Sequence, residues 1–172
     1  MVNTKESPPP RAGTDQELLE PIEAQVVELF VRGVQVLGLP RSIGEIYGLL
    51  YITPEPLAMD QLIARLRISK GSASQGLRFL RNLGAVKPQY IPGNRRDHFV
   101  AETQLKKLIN GFIKGEISPH MESGDSRLDA IEELAVETET AKTAFQRERI
   151  DKLRRWQTQG SELLELAKQF IC

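Results

Sequence analysis

A chain of 172 residues with 23 basic and 23 acidic side chains, 40% hydrophobic residues and a single cysteine, Cys172, can bury a core of its own without disulfides. These figures exclude a collagen-like repeat, a long disordered chain, a multi-pass membrane protein, a disulfide framework and a cysteine-based zinc site. The zero net charge conceals an imbalance: residues 1–40 carry a net −3, residues 41–101 a net +5 and residues 102–172 a net −2.

Residues 1–14, with Pro8-Pro9-Pro10 and few apolar groups, read as a disordered leader. The first seven residues lack the apolar stretch of a signal peptide, so a cytoplasmic protein without membrane contact is expected. In the segment 15–40, Leu18, Ile22, Val26, Leu29, Phe30 and Leu37 recur at helical spacing, and Gly38 and Pro40 stop the helix. A second helix is predicted over 41–51, buried through Ile43, Ile46, Tyr47 and Leu50, and Thr53-Pro54-Glu55-Pro56 breaks the chain after it. Residues 59–66 give a short third helix. Ala58 cannot cap it, but Gln61 keeps half of a capping box. After a tight turn at Arg67-Ile68, Ser69 is placed to cap a fourth helix over 70–83, which Gly84 closes.

Residues 85–91 read as a strand, and Pro88 assigns it to a sheet edge. Pro92-Gly93-Asn94 is a turn, residues 97–101 are the return strand, and Arg95 and Arg96 lie at the hairpin tip. Helix follows over 103–116, a linker over 119–124, and mostly helix from 125 to 170 with an interruption near Gly160. The fold class is therefore mainly α: a winged helix-turn-helix with a small β-hairpin wing over 41–101. A helix over 15–40 and a helical region over 102–172 flank it and are expected to dimerise.

Between Asp60 and Asp97 there is no acid, yet the interval holds Arg65, Arg67, Lys70, Arg78, Arg81, Lys87, Arg95 and Arg96. Solvation alone does not require one sign of charge, so this stretch reads as an anion-facing surface, with nucleic acid the commonest partner. On the fourth helix, Ala73, Gly76, Leu77 and Leu80 fall on one side. Gly71, Ser74, Gln75, Arg78 and Asn82 fall on the other, with Lys70 and Ser72 at its flanks. Small residues near the helix start allow close approach to a major groove, and the free amides there suit phosphate. Gln75 has the geometry to pair with adenine and Arg78 with guanine. Ser69, Lys70, Gly71, Ser72, Ser74, Gln75, Arg78, Asn94, Arg95 and Arg96 are the candidate DNA-binding residues. One arginine at the wing tip suits a narrow minor groove, and the other is free to brace the hairpin against Asp97.

The stretch Gly38-Leu39-Pro40-Arg41-Ser42-Ile43-Gly44-Glu45-Ile46-Tyr47-Gly48-Leu49-Leu50-Tyr51 resembles the opening of the GbsR-like regulators, a branch of the MarR-type winged-helix transcription factors. Ser69-Lys70-Gly71-Ser72-Ala73-Ser74-Gln75-Gly76-Leu77-Arg78-Phe79-Leu80 looks like their recognition helix, and Pro92-Gly93-Asn94-Arg95-Arg96 like their wing. The resemblance implies a homodimeric regulator that binds an operator and senses a small-molecule effector; the two recognition helices of a dimer would match a palindromic site, and a repressor is expected.

The chain also offers faces for a second copy. Ile131, Ala135, Thr138, Phe145, Leu153 and Trp156 mark one side of the C-terminal helical region, and Val26, Phe30 and Val34 of the first helix are expected to join them. Tyr47, Tyr51, Phe112, Phe145 and Trp156 are candidates to line an effector cavity, which choline-sensing members of the family suggest as an aromatic cage. The two histidines, His98 and His120, have no ligand-like spacing, so no metal and no cofactor is expected. There is no nucleophile–base set and no phosphate loop, so an enzyme is not expected either. The competing reading is a winged-helix module that docks protein rather than DNA; a basic fourth helix and wing favour DNA.

Overall fold

The computed structural model describes residues 19–136 and 141–171. The expected leader and Thr138 lie outside the described residues. Helix α1, Pro21–Val36, starts with proline at a position where the missing N–H is no loss, and the Glu23 carboxylate accepts the Glu20 N–H at 2.9 Å. It ends at Gly38, whose φ of +71° lets Gly38 and Leu39 return their N–H groups to Gln35 and Val34.

Helix α2, Arg41–Ile52, is the centre of the molecule and is buried on every side from Ile43 to Leu50. Two glycines make that possible. A Cβ on Gly44 would stand 2.6 Å from Val31 Cα, and one on Gly48 2.9 Å from Val27 Cα, so α1 packs on α2 backbone to backbone. Ile46, Leu49 and Leu62 are fully buried, and truncating any of them to alanine costs about 2–5 kcal/mol.

Strand β1, Leu57–Ala58, leads directly into α3, Met59–Leu66. The Gln61 side chain accepts the Ala58 N–H at 2.8 Å, the half capping box expected from the sequence. Arg67 turns the chain with a left-handed φ of 54°. Helix α4, Lys70–Asn82, follows. The Ser72 N–H donates to Ser69 Oγ at 3.0 Å, and Gly84, at φ +67°, closes the other end by donating to the Arg81 carbonyl while Ala85 donates to that of Leu80.

Strands β2, Val86–Gln89, and β3, His98–Ala101, form the wing, and the sheet runs β1-β3-β2, all antiparallel. Phe99 sits opposite both Leu57 and Pro88. Pro88 is therefore on an edge strand. The pairing of β1, two residues just after Pro56, makes the sheet three-stranded rather than a lone hairpin.

The C-terminal half corrects the sequence reading in three places. Helix α5, Leu105–Phe112, starts two residues later than expected. The expected linker over 119–124 is helix: a π-helical turn, Ile113–Ile117, joins α5 to α6, Ser118–Val136. In that turn the Ser118 N–H reaches back five residues to the Ile113 carbonyl. This change of register lets the helix continue through Pro119, which lacks the donor of an ordinary turn. Helix α7, Ala141–Ile171, runs unbroken through Gly160, where Met121 Cε packs 3.3 Å from the place of a Cβ. No helix of the described residues is long and apolar enough to cross a membrane.

Candidate nucleic-acid interface

Helix α4 buries Ala73, Gly76, Leu77 and Leu80. A Cβ on Gly76 would stand 2.5 Å from Ile46 Cδ1, so the glycine sets how deeply the helix sits on α2. Lys70, Gly71, Ser74, Gln75 and Arg78 are exposed on the opposite side, while Ser72 is half-buried at its edge. Ser69 serves its own helix: besides accepting from the Ser72 N–H, its Oγ lies 2.9 Å from Ser72 Oγ. A Cβ on Gly71 would meet only Ser69 Oγ, at an ordinary 3.7 Å, so nothing inside the protein requires a glycine there.

The wing tip is built by short-range bonds. Ile91 accepts the Asn94 N–H at 3.1 Å across Pro92 and Gly93, with Gly93 at φ +79°. Asn94 Oδ1 accepts the Arg96 N–H at 3.1 Å. The buried His98 ring joins the same network, its Nδ1 2.9 Å from the Arg96 carbonyl and its Nε2 3.3 Å from Asn94 Nδ2. The brace expected between an arginine and Asp97 is made elsewhere: Arg96 Nη1 donates to Asp60 Oδ2 of α3 at 2.6 Å. Asp60 reaches this site because β1 ties the start of α3 to β3. Arg95 projects from the tip without a carboxylate partner among the described residues.

Carboxylates from outside the acid-free run neutralise part of it. Arg65 is half-buried and pairs with Glu23 of α1 at 2.5 Å, Lys87 pairs with Glu102, and Arg96 pairs with Asp60. The five remaining bases, Arg67, Lys70, Arg78, Arg81 and Arg95, are exposed and have no carboxylate partner among the described residues. Arg67 and Arg81, part of the acid-free run but not among the candidate DNA-binding residues, belong to this surface, as does the exposed Tyr90, which follows β2. At 100° per residue Arg81 falls about 20° from Lys70 on the helix, and that spacing is the signal that places it.

Glu102 stands where the wing meets α5. Its buried carboxylate accepts from Lys87 and, at 3.1 Å, from the Gln104 N–H, with Lys107 3.6 Å away. The Lys87 hydrogen bond, followed by that of the Gln104 amide, holds its pKa down to about 2. Its carbonyl accepts the Tyr47 hydroxyl at 2.6 Å, and burial pushes Tyr47 up to about 12.

Behind α4 lies an apolar groove of about 570 Å³ between α1, α4 and α5, lined by residues that include Leu29, Gly33, Tyr47, Phe79, Leu83 and Phe112. Of the five aromatics proposed for an effector cavity, it brings together Tyr47 and Phe112 only. Tyr51 packs against Phe30 with tilted rings, their centroids 5.2 Å apart, and Phe145 and Trp156 are exposed on α7.

The expected second-copy faces divide in the same way. Ile131, Phe145, Leu153 and Trp156 are exposed. Ala135 faces α7, where Arg147 Nε and Nη2 donate to its carbonyl at 3.0 and 2.9 Å. On α1, Val26, Phe30 and Val34 are partly covered within the chain, with Phe30 and Val34 against the core. The uncovered side of α1 carries Ile22, Leu29 and Val36 instead.

No protein-family model matches the chain. Over 88 residues it is 32% identical to the HTH-type transcriptional repressor GbsR of Bacillus subtilis (strain 168), which covers 51% of this chain and 48% of that protein. Over 89 residues it is 22% identical to the HTH-type transcriptional repressor OpcR of the same organism, covering 52% and 48%. The chain thus spans about half the length of the curated relatives it matches. The crystal structure of a transcriptional regulator superimposes with a TM-score of 0.57 at 22% identity, over 87% of this chain and 99% of that one. The fold is that of a winged-helix transcriptional regulator, and the chain is similar to the GbsR-like repressors. All of these neighbours are regulators of transcription, not enzymes.

Proposed function

We propose that the protein is a homodimeric, sequence-specific DNA-binding transcriptional regulator of the cytoplasm that acts as a repressor. The observation that carries this reading is the set of unpaired bases around the outward face of α4. Gln75 and Arg78 read base edges in the major groove. Lys70, Ser72, Ser74 and the open backbone at Gly71 meet phosphates, with Arg67 and Arg81 alongside. Arg95 enters the flanking minor groove, while Asn94 and Arg96 hold the wing that carries it.

Two features support a second copy. Helix α1 is apolar on opposite sides: Val27 and Val31 are buried against α2, while Ile22 and Leu29, each 68% exposed, and Val36 face away. A helix apolar on both sides needs two neighbours. In the α6–α7 hairpin an ion-pair set joins the two helices while several large apolar groups face outward. Arg154 binds Glu132 and Asp129 of α6 at 2.8 and 2.5 Å, whereas Phe145, Leu153, Trp156 and Leu163 of α7 are exposed. A two-fold dimer presents two recognition helices to a palindromic operator. The repressor sense follows the names of the relatives, and the groove beside Tyr47 and Phe112 offers room within one chain for a small-molecule effector.

The test is selection of duplexes from a random pool by the full chain, followed by footprinting on the region upstream of its own gene and light scattering of the complex. A protected palindrome bound by two copies is the expected result. Failure to select any duplex would turn the reading to a protein-docking module.

A further inference from the structure

The recognition helix ends against the C-terminal region through a contact that has no part in facing DNA. Leu83, the buried C-cap of α4, meets Gly111 of α5 so closely that a Cβ there would lie 1.9 Å from the Leu83 carbonyl oxygen and 3.0 Å from its carbonyl carbon. Gly115, four residues on and inside the π-helical turn, makes room for the Leu83 side chain: a Cβ there would lie 2.8 Å from Cδ2. Neither glycine is among those with positive φ, so neither is required by its own backbone. Each weakens its helix relative to alanine, and close approach to Leu83 is what it provides in return. The same rod, α5 through α6, begins beside Glu102 at the root of the wing and continues into the hairpin with α7.

We propose that Gly111 and Gly115 are positioning residues for DNA readout. Through them the rod bears on Leu83 and sets how the outward face of α4 lies in the major groove, so that the C-terminal helices and the recognition helix move together. This deepens the DNA-binding reading above and rests on it. Side chains that make paired contacts to base edges tolerate little displacement, whereas phosphate contacts made by flexible lysines and arginines adjust. A shift of α4 at this bearing therefore costs discrimination before it costs affinity for DNA in general.

The experiment compares the full-length wild type, Gly115→Ala, Leu83→Ala and the double variant Leu83→Ala/Gly115→Ala. Each is titrated at one salt concentration against a duplex selected by the wild type and against a scrambled duplex of equal length, with thermal melting alongside. Gly115 is chosen because its added methyl meets only the end of a side chain, whereas Gly111→Ala would strike backbone and endanger folding. Gly115→Ala should lose roughly tenfold in the ratio of selected to scrambled affinity, the size of one weakened base contact, with scrambled-DNA affinity and melting unchanged. The double variant, relative to Leu83→Ala, should recover most of that loss because the space for the methyl has been restored. A wild-type ratio in Gly115→Ala overturns the proposal and leaves DNA binding standing. So does a double variant in which the loss persists, or a loss that appears equally in melting and in both affinities. A wild type that selects no duplex overturns both readings.

Discussion

Arg95 and Arg96 are adjacent, alike in chemistry and differently held. Arg96 is tied to Asp60 and, through its backbone, to Asn94 and His98, while Arg95 has no carboxylate partner among the described residues. Arg95→Ala should therefore weaken operator binding by about 1 kcal/mol or more, and most where the flanking minor groove is A·T-rich and narrow. Arg96→Ala and Asp60→Asn remove the same exposed pair; each should cost less than about 1 kcal/mol and show no dependence on the flanks. Affinities of the three variants for two operators differing only in their flanks provide the check, and a flank-dependent loss in Arg96→Ala would exchange the two roles. Glu102 supplies a pH prediction. Its folded pKa is lowered from 4.5 to about 2 by Lys87 and the Gln104 amide, so its contribution to stability is fully present above about pH 4.5 and is lost as pH falls toward 2. Melting temperature measured across that window should fall more steeply in the wild type than in Glu102→Gln, which has no proton to gain; equal slopes would remove Glu102 from the account.

The elements that could be read from the sequence are those whose signals are local. Ser69 and Gly84 bracket α4, Pro92-Gly93 makes the wing turn, and the spacing of Ala73, Leu77 and Leu80 fixes the inner face, so the helix-turn-helix and its candidate contacts were readable. Strand β1 was not, because two residues after a proline carry no period and form a strand only by pairing with β3. Helix through Pro119 was hidden because a π turn shifts the 100° pattern, and Gly160 looked like a break because its packing partner, Met121, lies far away in sequence. Helix α1 has two apolar sides, and its composition does not say which one faces inward. The same distinction between faces gives a prediction for α7. Trp156→Glu and Leu153→Lys alter side chains that are exposed within one chain, so they should leave its own melting little changed while weakening dimerisation by about 2 kcal/mol or more. Leu128→Ala, at a buried position of the hairpin, should instead lower melting. Light scattering across a dilution series separates the two effects, and an undiminished dimer in Trp156→Glu would move the interface to the outer side of α1.

At the scale of the whole molecule, the proposed DNA-binding role turns on the charge map, which sets how salt should act on it. Eight bases in an acid-free interval suggest up to sixteen cations in a dimer, but long-range contacts that sequence spacing does not encode remove three from each chain: Glu23 takes Arg65, Glu102 takes Lys87 and Asp60 takes Arg96. Five remain per chain, of which the proposed reading assigns Arg78 to base edges. If Arg67, Lys70, Arg81 and Arg95 each neutralise a phosphate, a dimer makes eight such contacts, and log K against log salt should slope by roughly −7. The slope also assigns the residues. Lys70→Ala removes one phosphate contact from each subunit, so the slope should become shallower by roughly 2, with equal weakening on selected and scrambled duplexes. Lys87→Ala should leave the slope where it was, because that ammonium is already spent on Glu102, and should appear in thermal stability instead. Titrations of the three proteins over a fourfold range of salt measure all of this. A slope of roughly −13 would mean that the three internal ion pairs open on DNA and release their bases to phosphate, and a slope near zero would take away the DNA-binding role itself.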